Sequence, residues 1–174
     1  MQESELQQYI LRNYPQENVR CEWKEFKNLK NSFCGDEKND IISYVSDIAN
    51  MEGGHLVIGV HDSSLEIVET DAYNYDRQKV ILRLTERCIN LSTEGFDIEE
   101  FVTDDINKKV WVIRIPSIVP QFPVYAHNKA WQLIEDSLVE LTTERMNVIL
   151  DELIFGETDW SAQIVPDATI DDLD

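Results

Sequence analysis

Three carboxylates, Glu22, Glu25 and Asp62, are the residues of this chain whose types and spacing best suit chemistry. They lie in the stretch CEWKEFKNLKNSFCGDEKNDIISYVSDIANMEGGHLVIGVHD, residues 21–62. Glu22 and Glu25 fall on a predicted strand over 20–27, and Asp62 falls just past another over 55–60. Carboxylates meeting at one sheet edge could hold one or two divalent cations, which prefer oxygen ligands. Such cations can activate a water and clamp a phosphodiester. Glu22 and Glu25 are three apart, so on a regular strand they point to opposite faces. A shared site therefore needs a twist or bulge between them. The same residues also read as a solvated charged strand with ordinary Glu–Lys pairs.

A second candidate is cationic. Lys24, Lys27 and Lys30 interleave with Trp23 and Phe26. Basic and aromatic residues together suit phosphate contact with base stacking. The competing role for Trp23 and Phe26 is core packing, which is expected for both. The third candidate is the turn Asn50-Met51-Glu52-Gly53-Gly54, followed by Gly59 in the next strand. Glycines allow positive φ and close backbone approach. They follow a helix instead of opening one, and GxxxxGK[ST] is absent, so this is not a P-loop. The three histidines and three cysteines have no zinc spacing, and GxSxG is absent.

The elements needed to position these groups alternate along the chain. A helix is predicted over 4–13, capped by Ser4, with Leu6, Tyr9 and Ile10 on one face. Asp36 is expected to cap a helix reaching Asn50, with Ile41, Ile42, Val45, Ile48 and Ala49 as one core-facing stripe. The run at 55–60 is apolar on both faces, as in a central strand. A short strand at 66–68 follows, then a helix over 75–90 with Val80, Ile81, Leu84, Cys88 and Ile89 on one side. A hairpin pairs 96–103 with 109–115. Another short strand is expected at 131–134. A closing helix over 142–154 presents Met146, Ile149, Leu150 and Leu153. The economical packing is an α+β fold, a mixed β-sheet packed with helices in two layers. Residues 1–155 form the expected domain, and 156–174 an acidic linker or tail.

Composition limits the partners. The chain has 174 residues and a net charge of −19. Residues 151–174 hold eight acids and no Lys or Arg, leaving −11 for residues 1–150. A field of that sign repels polyanions at long range, so a nucleic-acid surface must be a local basic patch. No apolar run approaches the ~18 residues of a membrane helix. The N-terminus lacks the basic start of a secretory signal. Scattered, odd-numbered cysteines fit reduced thiols in a cytoplasmic protein.

The order EWKEFK, then DIISYVSDIANMEGGHLVIGVHD, resembles the Schlafen/AlbA-like domain family. The matching pieces are Glu25-Phe26-Lys27, Ile48-Ala49-Asn50, Gly53-Gly54, and Leu56 through Asp62 with Gly59 inside. The resemblance covers roughly residues 4–155, and the ending resembles the stretch that leads into a further C-terminal region in longer bacterial members. It implies a DNA-binding or ATP-binding module of a bacterial transcriptional regulator or helicase-like protein. DNA is favoured over RNA as partner, and a homo-oligomer is open. Animal relatives imply a second role, RNA cleavage by two glutamates and an aspartate with Mg²⁺ or Mn²⁺. Glu25 and Asp62 match two of those acids. The third falls on Arg20, with Glu22 nearby at another offset. Gln132-Leu133-Ile134-Glu135 stands where many members have a basic, glycine-containing turn. A degenerate domain kept for protein contacts is the third role.

Overall fold

In the computed structural model, the apolar run after Gly53-Gly54 becomes the central strand of the main sheet. The structure describes residues 2–15, 21–26, 32–33, 35, 37–61, 64, 66–68, 75–105, 108–135 and 137–158. Strand β1 (Cys21–Lys24) runs parallel to β2 (Gly54–Ile58), and β2 pairs antiparallel with β4 (Lys109–Ile115). The hairpin partner β3 (Asp97–Val102) closes the order β1-β2-β4-β3. Both faces of β2 are buried, as its unbroken apolar sequence requires.

Each face has its own cover. Helix α1 (Glu3–Asn13) buries Leu6 and Ile10 against Cys21, Trp23, Val57, Val110 and Val112. On the other face Leu56, Ile58, Trp111 and Ile113 pack with α2 (Ile41–Asn50) and α3 (Arg77–Arg87). The architecture is mixed α+β, as expected, with α1 on one face of the main sheet and α2 and α3 on the other. Three short strands, β5 (Tyr125–Ala126), β6 (Lys129–Ile134) and β7 (Ser137–Glu140), form a second antiparallel sheet. The last helix, α4 (Thr143–Thr158), follows it. Among the described residues no helix is long and apolar enough to cross a membrane.

The second sheet changes the environment of α2. One apolar stripe is expected from its sequence, yet all ten of its residues are buried. The polar side is covered by the segment from Val124 to Leu133, so its polar groups need partners there. Asn50 Nδ2 donates to the carbonyls of Val124 and Trp131, both at 3.0 Å. Its Oδ1 accepts from the Val124 N–H at 2.8 Å. Ser46 Oγ donates to the Val124 carbonyl and accepts from the Trp131 N–H. Arg145 donates through Nε and Nη2 to the Asn50 carbonyl, capping the helix C-terminus with positive charge.

Several local expectations are corrected. Asp40 caps α2, accepting from the Ser43 N–H, while Asp36 lies outside the described residues. The first helix starts at Glu3, where Glu5 accepts the Gln2 N–H, so Ser4 is not its cap. Ile89 follows the end of α3 and is 52% exposed, and Leu150 is 42% exposed. The expected strand at 66–68 is reduced to one bridge between Val60 and Ile67.

Asn50→Ala leaves the Trp131 carbonyl and the Val124 N–H without these partners. It is expected to cost roughly 3–5 kcal/mol in urea denaturation. Asn50→Asp keeps the acceptor but loses both donations, and is expected to be nearly as damaging.

Candidate functional site

The candidate residues divide between the two faces and one edge of the main sheet. Along β1, Cys21 and Trp23 enter the α1 core, while Glu22 and Lys24 alternate with them. Lys24 Nζ sits 4.8 Å from the Tyr44 ring centroid, on the α2 side. Phe26 packs on the same side, 6.3 Å from Tyr44, at a positive φ of 43° that ends the strand's alternation. Trp23 and Phe26 are thus both packed in cores, as expected for them.

Glu25 follows the end of β1. Because β1 and β2 are parallel, it emerges beside Gly59, whose N–H donates to the Lys24 carbonyl at 2.8 Å. Asp62, Lys27 and Lys30 lie outside the described residues. Glu22 is set toward α2, where its charge acts on Asp47. Among the described residues, no three His, Cys, Asp or Glu side chains converge as metal ligands. The described part of the expected carboxylate set therefore forms no metal site by itself, since Asp62 lies outside the described residues.

Asp47 is the acid that sequence reasoning missed. It is buried in α2 and accepts the backbone N–H of Leu133. Burial first, and then the charge of Glu22, push its pKa up to about 7. The pairing was hidden because Asp47 occupies what reads as the solvent side of an amphipathic helix.

The turn residues are structural. A Cβ on Gly53 would stand 2.7 Å from the Ser117 nitrogen and 2.8 Å from the Ile115 oxygen. Its φ of 81° disfavours a side chain independently. Gly53 is thus packed against backbone, and its N–H donates to the Ile48 carbonyl at 2.8 Å. Gly54 and Gly59 also hold positive φ, and Asn50 joins the second sheet as described above.

A cleft of about 530 Å³ opens beside this turn, lined by Tyr14, Glu52, Gly53, Gly54, His55, Gly95 and Arg114 among others. Tyr14 and His55 stack with ring centroids 5.0 Å apart. Burial, and then Arg114, lower the His55 pKa, so the ring is neutral at pH 7. Burial and the nearby Glu99 raise that of Tyr14. Asp97 and Glu99 border the adjoining hollow, so cationic Arg114 stands among carboxylates. That mixture does not favour an extended polyanion. The Cys21 thiol, raised to about 12 by burial, is no nucleophile at neutral pH.

Among the described residues, the strongest cationic surface is α3. Its eleven residues, RQKVILRLTER, contain Arg77, Lys79, Arg83 and Arg87 against one acid, Glu86. Val80 and Leu84 face the core, and Lys79, Leu82, Arg83 and Glu86 are exposed. Arg83 lies 5.7 Å from the Phe33 ring centroid, and Phe33 packs edge-on against Tyr75. Phe33 itself meets α3 through Arg83, and Lys27 and Lys30 lie outside the described residues. The composition of this helix was a readable signal that the strongly negative total obscured.

The Asp47 carboxyl makes stability depend on pH. Its folded pKa is raised, so the folded state holds a proton that the unfolded chain releases near pH 4. Stability is expected to fall from pH 5 to pH 8, by on the order of a few kcal/mol. Asp47→Asn keeps an acceptor for the Leu133 N–H and is expected to flatten that decline. Urea melts of both proteins at pH 5, 6, 7 and 8 compare the slopes, and equal slopes contradict the assignment.

Residues 17–157 match the family model described as Schlafen, AlbA_2. No curated protein sequence matches the chain. Two solved structures are similar. One is the DIP2311 protein from Corynebacterium diphtheriae, with 16% identity and a TM-score of 0.49, covering 72% of this chain and 22% of that one. This chain thus spans about a fifth of that protein's length. The other is the N-terminal domain of a RecG-related protein from Nitrosomonas europaea, with 17% identity and a TM-score of 0.42, covering 82% of this chain and 91% of that one. The family match extends from before β1 into α4, across both sheets, and this chain belongs to the Schlafen, AlbA_2 family.

Proposed function

We propose that this chain is a nucleic-acid-binding module that contacts phosphates through the exposed side of α3. The observation that carries the reading is the set Lys79, Arg83 and Arg87, spaced i, i+4, i+8 on the exposed side of one helix of a chain whose net charge is −19, while Arg77 donates to the Ile98 carbonyl. Family membership supports it, because the sequence resemblance implies a DNA-associated role. Lys24, Lys27 and Lys30 are the proposed extension of this surface. Lys24 touches Tyr44, and Phe33, which follows Lys27 and Lys30 in the sequence, meets Arg83.

The charge balance sets the binding regime. Long-range steering is unfavourable, so affinity comes from contacts within a Debye length, ~10 Å at 0.1 M salt. Each phosphate contact releases counterions, which makes binding steeply salt-dependent. A role within a regulator or a helicase-like protein is a further proposal on the same footing.

A metal-dependent nuclease is the second reading. It is favoured by one observation, the parallel strand ends that set Glu25 beside Gly59, three residues before Asp62. Incubating the protein with structured RNA and Mn²⁺ tests it: cleavage lost in Glu25→Gln supports it, and no cleavage by the unaltered protein contradicts it.

Fluorescence anisotropy with labelled oligonucleotides tests the first reading. Lys79→Ala/Arg83→Ala is expected to weaken binding about tenfold and to reduce the salt slope by roughly 1.5–2. No binding by the unaltered protein at low salt, or an unchanged slope in the double variant, contradicts it.

A further inference from the structure

We propose that the acidic segment 159–174 docks on the exposed face of α3, covering the surface assigned above to nucleic acid. The consequence for nucleic acid rests on that assignment; the docking itself does not.

The two partners are chemically complementary. Residues 159–174 contain Asp159, Asp167, Asp171, Asp172 and Asp174 and no Lys or Arg. Apolar Trp160, Ile164, Val165, Ile170 and Leu173 are spaced among them. The face of α3 has the opposite charge and the same mixture. Lys79 and Arg83 are one helical turn apart, and Leu82, 64% exposed, lies between them. Among the described residues neither Lys79 nor Arg83 has a carboxylate within ion-pair distance.

Reach and selectivity favour the same pairing. Sixteen residues can extend roughly 50 Å. A globular domain of this size is only about 40 Å across. The segment starting at the end of α4 is therefore longer than the domain is wide. Arg114, an exposed cation of the cleft, stands among Asp97, Glu99 and Glu52, which repel an acidic strand. Tethering also lowers the affinity required. Short flexible linkers give effective concentrations on the order of millimolar, so a contact too weak to detect between separate molecules is populated within one chain. Being mainly ionic, it is screened as the Debye length shrinks to ~3 Å at 1 M salt.

The test uses the full chain and a variant with all five aspartates of 159–174 changed to Asn. The amide NMR shifts of Lys79, Leu82 and Arg83 are expected to differ between the two at 20 mM NaCl and to converge at 1 M. Identical shifts at low salt overturn the docking. Carbodiimide coupling is expected to link Lys79 to the segment within the monomer and to fail in Lys79→Arg. A link found only between two molecules overturns the intramolecular contact. Oligonucleotide affinity separates the two readings. If the segment competes, the five-Asn variant binds about tenfold more tightly at low salt. Confirmed docking with no oligonucleotide binding by either protein leaves the docking standing and overturns the nucleic-acid assignment.

Discussion

The hydrogen bonds of Asn50 join the two halves of the fold. Its side chain binds the backbone at Val124 and Trp131, and its own carbonyl receives Arg145 from α4. One residue thereby connects α2, the second sheet and the last helix. Buried amide groups must find partners, so the three elements can pack in only one register. Ser46 and Asp47 reinforce the same seam. The next three residues turn the chain at Gly53, where backbone from Ile115 to Ser117 leaves no room for a side chain. Helix α2 and central strand β2 are thus locked together at that turn.

This arrangement explains why some features were readable in the sequence. β2 was legible because its apolar run is unbroken, and the β3–β4 hairpin because both strands are long. Helix α2 was legible as a helix but not as a helix buried all round. Ser43, Ser46, Asp47 and Asn50 imitate a solvent face until the second sheet is known. That sheet left little trace, since β5 has two residues and β7 has four. Its stability comes from long-range bonds to α2, which no local pattern encodes.

The candidate site was legible to a different extent. The opposite facing of Glu22 and its neighbours follows from strand periodicity, and Glu22 indeed faces Asp47. Its partner was not foreseeable, because the pairing depends on how α2 crosses β1. The basic helix was written plainly in RQKVILRLTER, but a total charge of −19 drew attention away from it. Charge in this chain is segregated more than it is excessive. A cationic helix stands on one face of the folded part, and residues 159–174 carry five aspartates with no Lys or Arg. Segregation of this kind allows a strongly acidic protein to retain a polyanion-binding surface, and makes that surface sensitive to salt.

Amide chemical-shift mapping during titration with an oligonucleotide tests the central claim most directly. The account predicts that the largest changes at low salt fall on Arg77–Arg87 and on Phe33, and shrink as salt is raised. Changes confined to the cleft of Tyr14, His55 and Arg114, with α3 unmoved, would contradict it.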